Sequence, residues 1–325
     1  MILVTGATGF VGNHLVRLLV DRGERVRVLI RPGADPRPLA GMDVERVNGD
    51  LRNADSVNYA CAGATRVIHA AAMVRIGWTG LEAMREVNVA GTRLVAQAAR
   101  LTGARLIHVS SVDALGLGSL GSPADEVTPR GGKTQCPYVV TKTEAESVVA
   151  EEIVRGLDAV VVNPGFLLGP CDWKPSSGRM LVEVGRAAPL LAPAGGCSVA
   201  DVRDVGAAIL AALDRAKGGD RFILAGENVT YLELWRLFAK VAGRRGPLGR
   251  LGPGLRWGLG RGGDLFGRFT GEEPVVNSAA LAMSSLGHYY SSAKARSELE
   301  YRNRSLEETV VDAWQWFSDH GYLAP

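Results

Sequence analysis

The first twelve residues, MILVTGATGFVG, constrain what this chain can fold into more than any other stretch. The apolar, β-branched residues 2–4 run through Thr5-Gly6 into Gly9 and Gly12, the pattern of a strand turning sharply into a helix. Gly6 can take the dihedrals of the tight turn, Gly9 lets backbone approach a pyrophosphate, and Gly12 lets the helix pack close to the strand. The anion would sit on free N–H groups at the helix N-terminus, beside Thr8, Phe10 and Val11. The spacing is Gly-x-x-Gly-x-x-Gly, one residue wider at its first gap than the usual dinucleotide fingerprint, so the context carries the assignment. An amphipathic run over 10–22, with Val11, Leu15, Leu18 and Leu19 on one face, is followed by a second strand over 25–30. No Lys-Ser/Thr pair follows the glycines, which excludes a P-loop.

Further strands are expected over 44–47, 67–69, 105–109, 158–162 and 221–224, with helices over 81–101, 138–155 and from Asp201 to about 215. This alternation over 325 residues points to an α/β protein with a doubly wound parallel sheet and a smaller, mostly helical C-terminal substrate lobe. Residues 1–165 and 201–226 form the dinucleotide-binding unit; 166–200 and 227–325 form the lobe. A net charge of +3 from 37 basic and 34 acidic residues gives no bulk case for nucleic acid. Cys61, Cys136, Cys171 and Cys197 form no CxxC pair, and a strand at residue 1 leaves no room for a signal peptide, so a reducing cytoplasm is expected. No apolar stretch reaches the ~18 residues of a membrane span. The five histidines show no ligand spacing, so no metal is expected.

The cofactor should lie beyond the carboxyl ends of the strands. After the second strand, Arg31 occupies the position where such folds place a carboxylate for the adenosine ribose; its guanidinium would pair with a 2′-phosphate, favouring NADP and leaving NAD open. Asp35 nearby would blunt this, and a solvated loop arginine is the plain alternative. Asp50 and Leu51 end the third strand; Asp50 would accept from the adenine amino group or cap the helix starting near Asn53. Ala70, Ala71 and Ala72 leave room for backbone to pass close to the cofactor. Tyr138 and Lys142, at i and i+4, emerge on one helix face, where an ammonium and a positive nicotinamide ring favour the phenolate. Ser111, ending the fifth strand beside Ser110, would face the same substrate oxygen across the cleft.

Together TGATGFVG, the 70–72 alanines, Asn88 within Val87-Asn88-Val89-Ala90-Gly91-Thr92, Val109-Ser110-Ser111 and Tyr138-x-x-x-Lys142 resemble the extended short-chain dehydrogenase/reductases, in the same order and over nearly the whole chain. The resemblance implies a Rossmann fold, with Tyr138 as acid/base, Lys142 on the nicotinamide ribose and Ser111 polarising the carbonyl. It places Asn163-Pro164-Gly165 beside the nicotinamide, although Asn163 stands where many members carry arginine. The C-terminal segment, with Ser291-Ser292-Ala293-Lys294, Glu300-Tyr301 and Trp316-Phe317, is similar to dihydroflavonol 4-reductase-like proteins and the hopanoid-associated sugar epimerase group.

Met73, Val74, Trp78, Phe166, Leu167, Trp173 and Arg179 are candidates to contact a small-molecule substrate along with Ser111; each could equally pack in the core or between units. The leading function is NADP-dependent reduction of a carbonyl or oxidation of a secondary alcohol. A nucleotide-sugar epimerase or dehydratase, with Lys174, Arg179 and Arg186 for a diphosphate, is the alternative, and a non-catalytic cofactor-binding regulator a third. A homodimer is left open. Residues 244–269 interleave large apolar side chains with Arg244, Arg245, Arg250, Arg256, Arg261 and Arg268. They are expected to form a glycine-broken lobe helix whose apolar side covers the cleft, with an anionic membrane surface as the sharper alternative.

Overall fold

The computed structural model describes residues 1–323. Its strands are β1 (Ile2–Thr5), β2 (Val26–Ile30), β3 (Glu45–Asn48), β4 (Arg66–His69), β5 (Arg105–Val109), β6 (Ala159–Pro164), β7 (Phe166–Leu168), β8 (Leu191–Ala192), β9 (Gly196–Asp201), β10 (Arg221–Leu224), β11 (Glu227–Thr230), β12 (Gly249–Arg250) and β13 (Gly287–His288). Seven of them make one sheet in the order β10-β6-β5-β4-β1-β2-β3, parallel throughout. The winding direction reverses between β1 and β4, which opens a crevice beyond their carboxyl ends.

Val, Ile and Leu fill the central strands because helices cover both faces. On one face, Leu15, Val16 and Leu19 of the Phe10–Asp21 helix meet Val205 and Ile209 of the Val202–Arg215 helix over Val4, Ile68 and Val160. On the other, Val57, Val95, Ala99 and Val149 pack over Leu3, Val67 and Leu106. The helix expected over 81–101 is not uniform: Leu81–Met84 passes through a π-helical turn, Arg85–Ala90, into Gly91–Thr102. That turn places Asn88 inside the protein.

The lobe is mostly helical, as expected, but it is not built on helices alone. A second sheet, β11-β9-β13 with β7 beside β9, stands at its centre. Leu168, Leu181, Val199, Leu234, Phe238, Val310 and Phe317 form its core. These strands are short and lie among glycines and prolines, and β9 pairs only with segments distant in the chain, so no local periodicity marks them. β9 runs across position 200 into the Val202–Arg215 helix, whose N-terminus Asp201 caps by accepting from Arg203 N at 2.8 Å. Residues 253–270, expected to be broken by glycines, form one continuous helix, Pro253–Thr270.

A methyl added at Gly12 would overlap the Gly6 carbonyl, with the carbonyl carbon at 2.6 Å, whereas one at Gly9 meets nothing nearer than the Gly6 oxygen at 3.1 Å. Gly12→Ala should therefore lower stability by roughly 1–3 kcal/mol, the cost of overpacking, and Gly9→Ala much less, read from urea midpoints at constant m-value. Buried Asp172 caps the Ser177–Ala187 helix by accepting from Ser176 N (3.2 Å) and Gly178 N (3.3 Å), and burial pushes its carboxyl up from 3.8 to about 7. Between those two pH values the folded state holds a proton that the unfolded state has lost, so stability falls as pH rises through that window. Asp172→Asn should flatten this segment of the stability-against-pH curve in thermal melts; an unchanged slope would refute the assignment.

Candidate active site

The end of β1 lies against the end of β4 with no side chain between them. Gly6 takes φ +70°, and a Cβ there would stand 2.6 Å from Ala71 N and 2.7 Å from the Ala70 carbonyl carbon. Gly9, the N-cap of the Phe10–Asp21 helix, supplies no side-chain cap, and the first turn carries no acidic residue. The helix N-terminus thus presents unpaired N–H groups and a positive dipole end on an exposed glycine surface, which fits a pyrophosphate. The loop is held from behind: Asn13 Nδ2 donates to Gly9 O (2.8 Å), Phe10 O (3.0 Å) and Cys171 O (3.2 Å), and His14 Nε2 to Pro170 O (2.8 Å). Burial lowers His14 to about 4, so it is neutral. Phe10 and Val11 pack on the core, and Thr8 is half-buried at the rim.

At the adenosine end, Arg31 is exposed just beyond β2. Asp35 is turned away onto Arg37, which holds it through Nη2 at 2.7 Å and Nε at 3.0 Å. Asp50 accepts from Arg52 Nη2 (2.8 Å) and N (2.9 Å), a pairing that lowers its carboxyl to about 2, with a smaller contribution from the Arg31 charge. The expected capping role of Asp50 belongs to Asn53, whose side chain accepts from Ser56 N at 2.8 Å. Leu51 is buried beneath Gly91.

Pro137 starts the helix Pro137–Val154, and its i, i+4 spacing brings Tyr138 and Lys142 to the sheet, facing Ser111 beyond β5. Tyr138 is buried among Met84, Cys136, Val139, Ala279 and Met283, with Met73, Ile76 and Leu286 at the margin. Burial, then the Asp113 charge, pushes its phenol well up, against a hydrogen bond with Ser111 that lowers it. Lys142 Nζ donates to Val109 O (3.2 Å); burial lowers it to about 8, opposed by Glu146 and Asp113. Such a phenol stays protonated at neutral pH, and with the Ser111 hydroxyl it can donate to a single substrate oxygen.

Below this group lies a buried carboxylate that the sequence reading did not single out, Glu146. It accepts from Ser110 Oγ (2.6 Å) and Asn163 Nδ2 (2.6 Å) through one oxygen, and from Arg130 Nη2 (2.7 Å) and Arg221 Nη1 (2.6 Å) through the other. Asn163 also donates to Ser111 O at 2.8 Å. Ser110 is therefore committed beneath the site. The signal for Glu146 was its place four residues after Lys142, on the same helix face. Asp113 was also passed over: its carboxylate lies 3.4 Å from Ser111 Oγ, 3.5 Å from Lys133 Nζ and 3.6 Å from His288 Nδ1. Lys133 and His288 come from a loop and from the far end of the chain, so no sequence spacing links them to it.

Asn88 grips the loop after β4, accepting from Met73 N (2.7 Å) and donating to Met73 O (2.9 Å) and Thr141 Oγ1 (3.1 Å). Met73 is thereby fixed beside Tyr138, with Ala70, Ala71 and Ala72 half-buried ahead of it. Val74 and Trp78 are exposed, Trp78 Nε1 donating to Ser278 Oγ at 2.7 Å. Pro164 closes β6; a Cβ on Gly165 would come within 2.6 Å of Ser198 O, so this glycine serves close packing of the two sheets. Phe166 packs on the lobe core and Leu167 in the main core. Trp173 lies away from Tyr138, under the Arg37 guanidinium (5.3 Å) and edge-on to Trp316 (5.1 Å). Arg179 forms an exposed pair with Glu183 at 3.3 Å.

Comparisons with known proteins identify the family. The chain is 34% identical over 325 residues to sterol demethylase protein B of Methylococcus capsulatus, covering 99% of both chains. It is 32% identical to a putative dihydroflavonol 4-reductase of Synechocystis, covering 98% of this chain and 95% of that one. Among solved structures, that of gox2253 superimposes with a TM-score of 0.86 at 37% identity, over 99% of this chain and 98% of the other. The family model for NAD dependent epimerases and dehydratases matches residues 2–225, from β1 to just past β10. The chain belongs to the NAD dependent epimerase/dehydratase family and is an NAD(P)-dependent oxidoreductase of the extended short-chain dehydrogenase/reductase type.

Proposed function

We propose that this protein is an NADP-dependent oxidoreductase that reduces a carbonyl, or in reverse oxidises a secondary alcohol, on a largely apolar small molecule. The carrying observation is the setting of Tyr138: a protonated phenol, raised by burial and by Asp113, in a cluster of methionine, valine and alanine side chains. Residues 1–165 and 201–226 would hold the dinucleotide, its pyrophosphate on the loop of Gly6, Gly9 and Gly12 and its 2′-phosphate at Arg31. Bound there, the reduced nicotinamide supplies the hydride. Tyr138 gives its proton to the carbonyl oxygen while the Ser111 hydroxyl donates a hydrogen bond to the same oxygen. The Lys142 ammonium offsets the phenolate that remains.

Two observations favour a reductase over a nucleotide-sugar epimerase. Of the three cations expected for a diphosphate, Arg179 is paired with Glu183 and Arg186 donates to the Tyr322 carbonyl at 2.6 Å, which leaves the exposed Lys174 alone. The similar proteins named for a sterol and a dihydroflavonol point to polycyclic substrates, which suit the apolar surroundings of Tyr138.

Tyr138→Phe removes the proton donor and keeps the ring. It should cut turnover by about 10²- to 10⁴-fold in an NADPH-absorbance assay while leaving calorimetric cofactor affinity nearly intact. Lys142→Met should weaken both. Wild-type turnover in the phenylalanine variant would rule out the assignment. Because a charge-assisted bond to phosphate is worth roughly 1.5–3 kcal/mol, Arg31→Ala should reduce NADP affinity by about one to two decades and leave NAD affinity unchanged. Tighter binding of NAD than NADP by the wild type would overturn this assignment.

A further inference from the structure

The Pro253–Thr270 helix is built inside out. Its only fully buried residue is Gly260. The face toward the protein is lined by glycines: a Cβ on Gly260 would meet Ser278 at 3.0 Å, one on Gly263 would overlap the Val276 carbonyl, and one on Gly267 would stand 2.9 Å from Pro274. The large apolar side chains point the other way. Leu255, Leu259, Leu265, Phe266 and Phe269 are exposed, Phe269 at 83% and Phe266 at 61%, and fall within about one third of the helix circumference. The expected arrangement, with the apolar side over the cleft, is thereby reversed; Arg256, Arg261 and Trp257, the last 68% exposed, stand at the edge of a cleft of about 350 Å³ shared with Leu281, Ala282 and Leu286.

Arg261 and Arg268 border this sector on one side, both exposed and without an ion-pair partner among the described residues. Six arginines lie between 244 and 270 against one acidic residue, Asp264, which faces inward and accepts from Ser278 N at 2.9 Å. Val275 and Val276, also exposed, extend the apolar surface beyond the helix. An uncharged sector of leucine and phenylalanine edged by arginines and a tryptophan matches the interface between lipid headgroups and acyl chains. A second copy of the chain would bring the same arginines with it, like charge against like.

We infer that this face docks on an anionic phospholipid bilayer, with Phe266, Phe269 and the leucines entering the acyl boundary and Arg261 and Arg268 on the headgroups. The cleft behind the helix shares Leu286 with the apolar cluster around Tyr138, so docking sets a route from the bilayer toward the phenol. The substrate class this implies, a membrane-dissolved carbonyl or alcohol, rests on the reductase reading; the docking itself does not.

Co-sedimentation with sucrose-loaded vesicles tests the docking without reference to turnover. Wild type should pellet with equal parts phosphatidylglycerol and phosphatidylcholine at low salt and stay in solution with phosphatidylcholine alone. Arg261→Glu with Arg268→Glu should lower partitioning by at least about 20-fold, since each arginine near such a surface is worth about five-fold. Phe266→Glu with Phe269→Glu should abolish it, and both variants should keep the wild-type melting temperature because all four replaced side chains are exposed. No pelleting of wild type with the anionic vesicles, or equal pelleting with phosphatidylcholine alone, overturns the inference. So does a dimer in sedimentation velocity without lipid that the phenylalanine variant dissolves, which would assign the face to a second copy. Should vesicles bind while NADPH is never consumed with any carbonyl, the reductase reading fails and the docking stands.

Discussion

The approach of three backbone segments with nothing but hydrogen between them governs this structure. Gly12 seats the first helix on the Gly6 carbonyl, and Gly6 in turn presses on the peptide between Ala70 and Ala71. Any side chain at Gly6 or Gly12 would push the helix from β1, or β1 from β4, at the place where the winding of the sheet reverses. The crevice that results is narrow, lined by main chain and open at an uncapped helix N-terminus. A phosphate site of this kind depends on the absence of side chains, so it is fixed by steric exclusion more than by any attractive contact.

The second constraint is electrostatic. Glu146 is buried, and a buried carboxylate is tolerable only when its lone pairs are taken and its charge is balanced. Here Ser110 beyond β5, Asn163 in β6, Arg221 in β10 and Arg130 in the preceding loop all donate to it. These segments are far apart in sequence, and each can satisfy the carboxylate only where the sheet places it. The same carboxylate lies one helical turn from Lys142 and supports its ammonium against the desolvation that lowers it. Satisfying Glu146 therefore also sets the position of Lys142 and, through Asn163 and the Ser111 carbonyl, of the serine.

The sequence revealed what has a period or a local spacing. The central strands, their helices and the Tyr138–Lys142 pair follow from residues a few positions apart. The lobe sheet did not, because β9 is paired by β11 and β13, with β13 contributing only Gly287 and His288. Asp113 escaped for a similar reason: its partners Lys133 and His288 reach it only through the tertiary fold. Trp173 was placed near the substrate on the strength of its loop. The fold instead gives that half-buried ring to Arg37 and Trp316, whose guanidinium and ring edge meet it in cation–π and edge-on contacts.

In the helix over 253–270, composition and position in the fold pull in opposite directions. Glycine inside a helix costs about 1 kcal/mol relative to alanine, and this segment carries several. In return the chain lies close against residues 272–278 through glycines, which bring no side chain of their own to bury. An ordinary surface helix would turn its leucines and phenylalanines inward, where each full burial is worth roughly 1.5–3 kcal/mol. Here that area is left in solvent, so the inner face offers too little to explain the outer one. A helix of this design reaches its most favourable state only when its outer sector is covered, and the arginines along its edge restrict what can cover it to something apolar beneath an anionic skin.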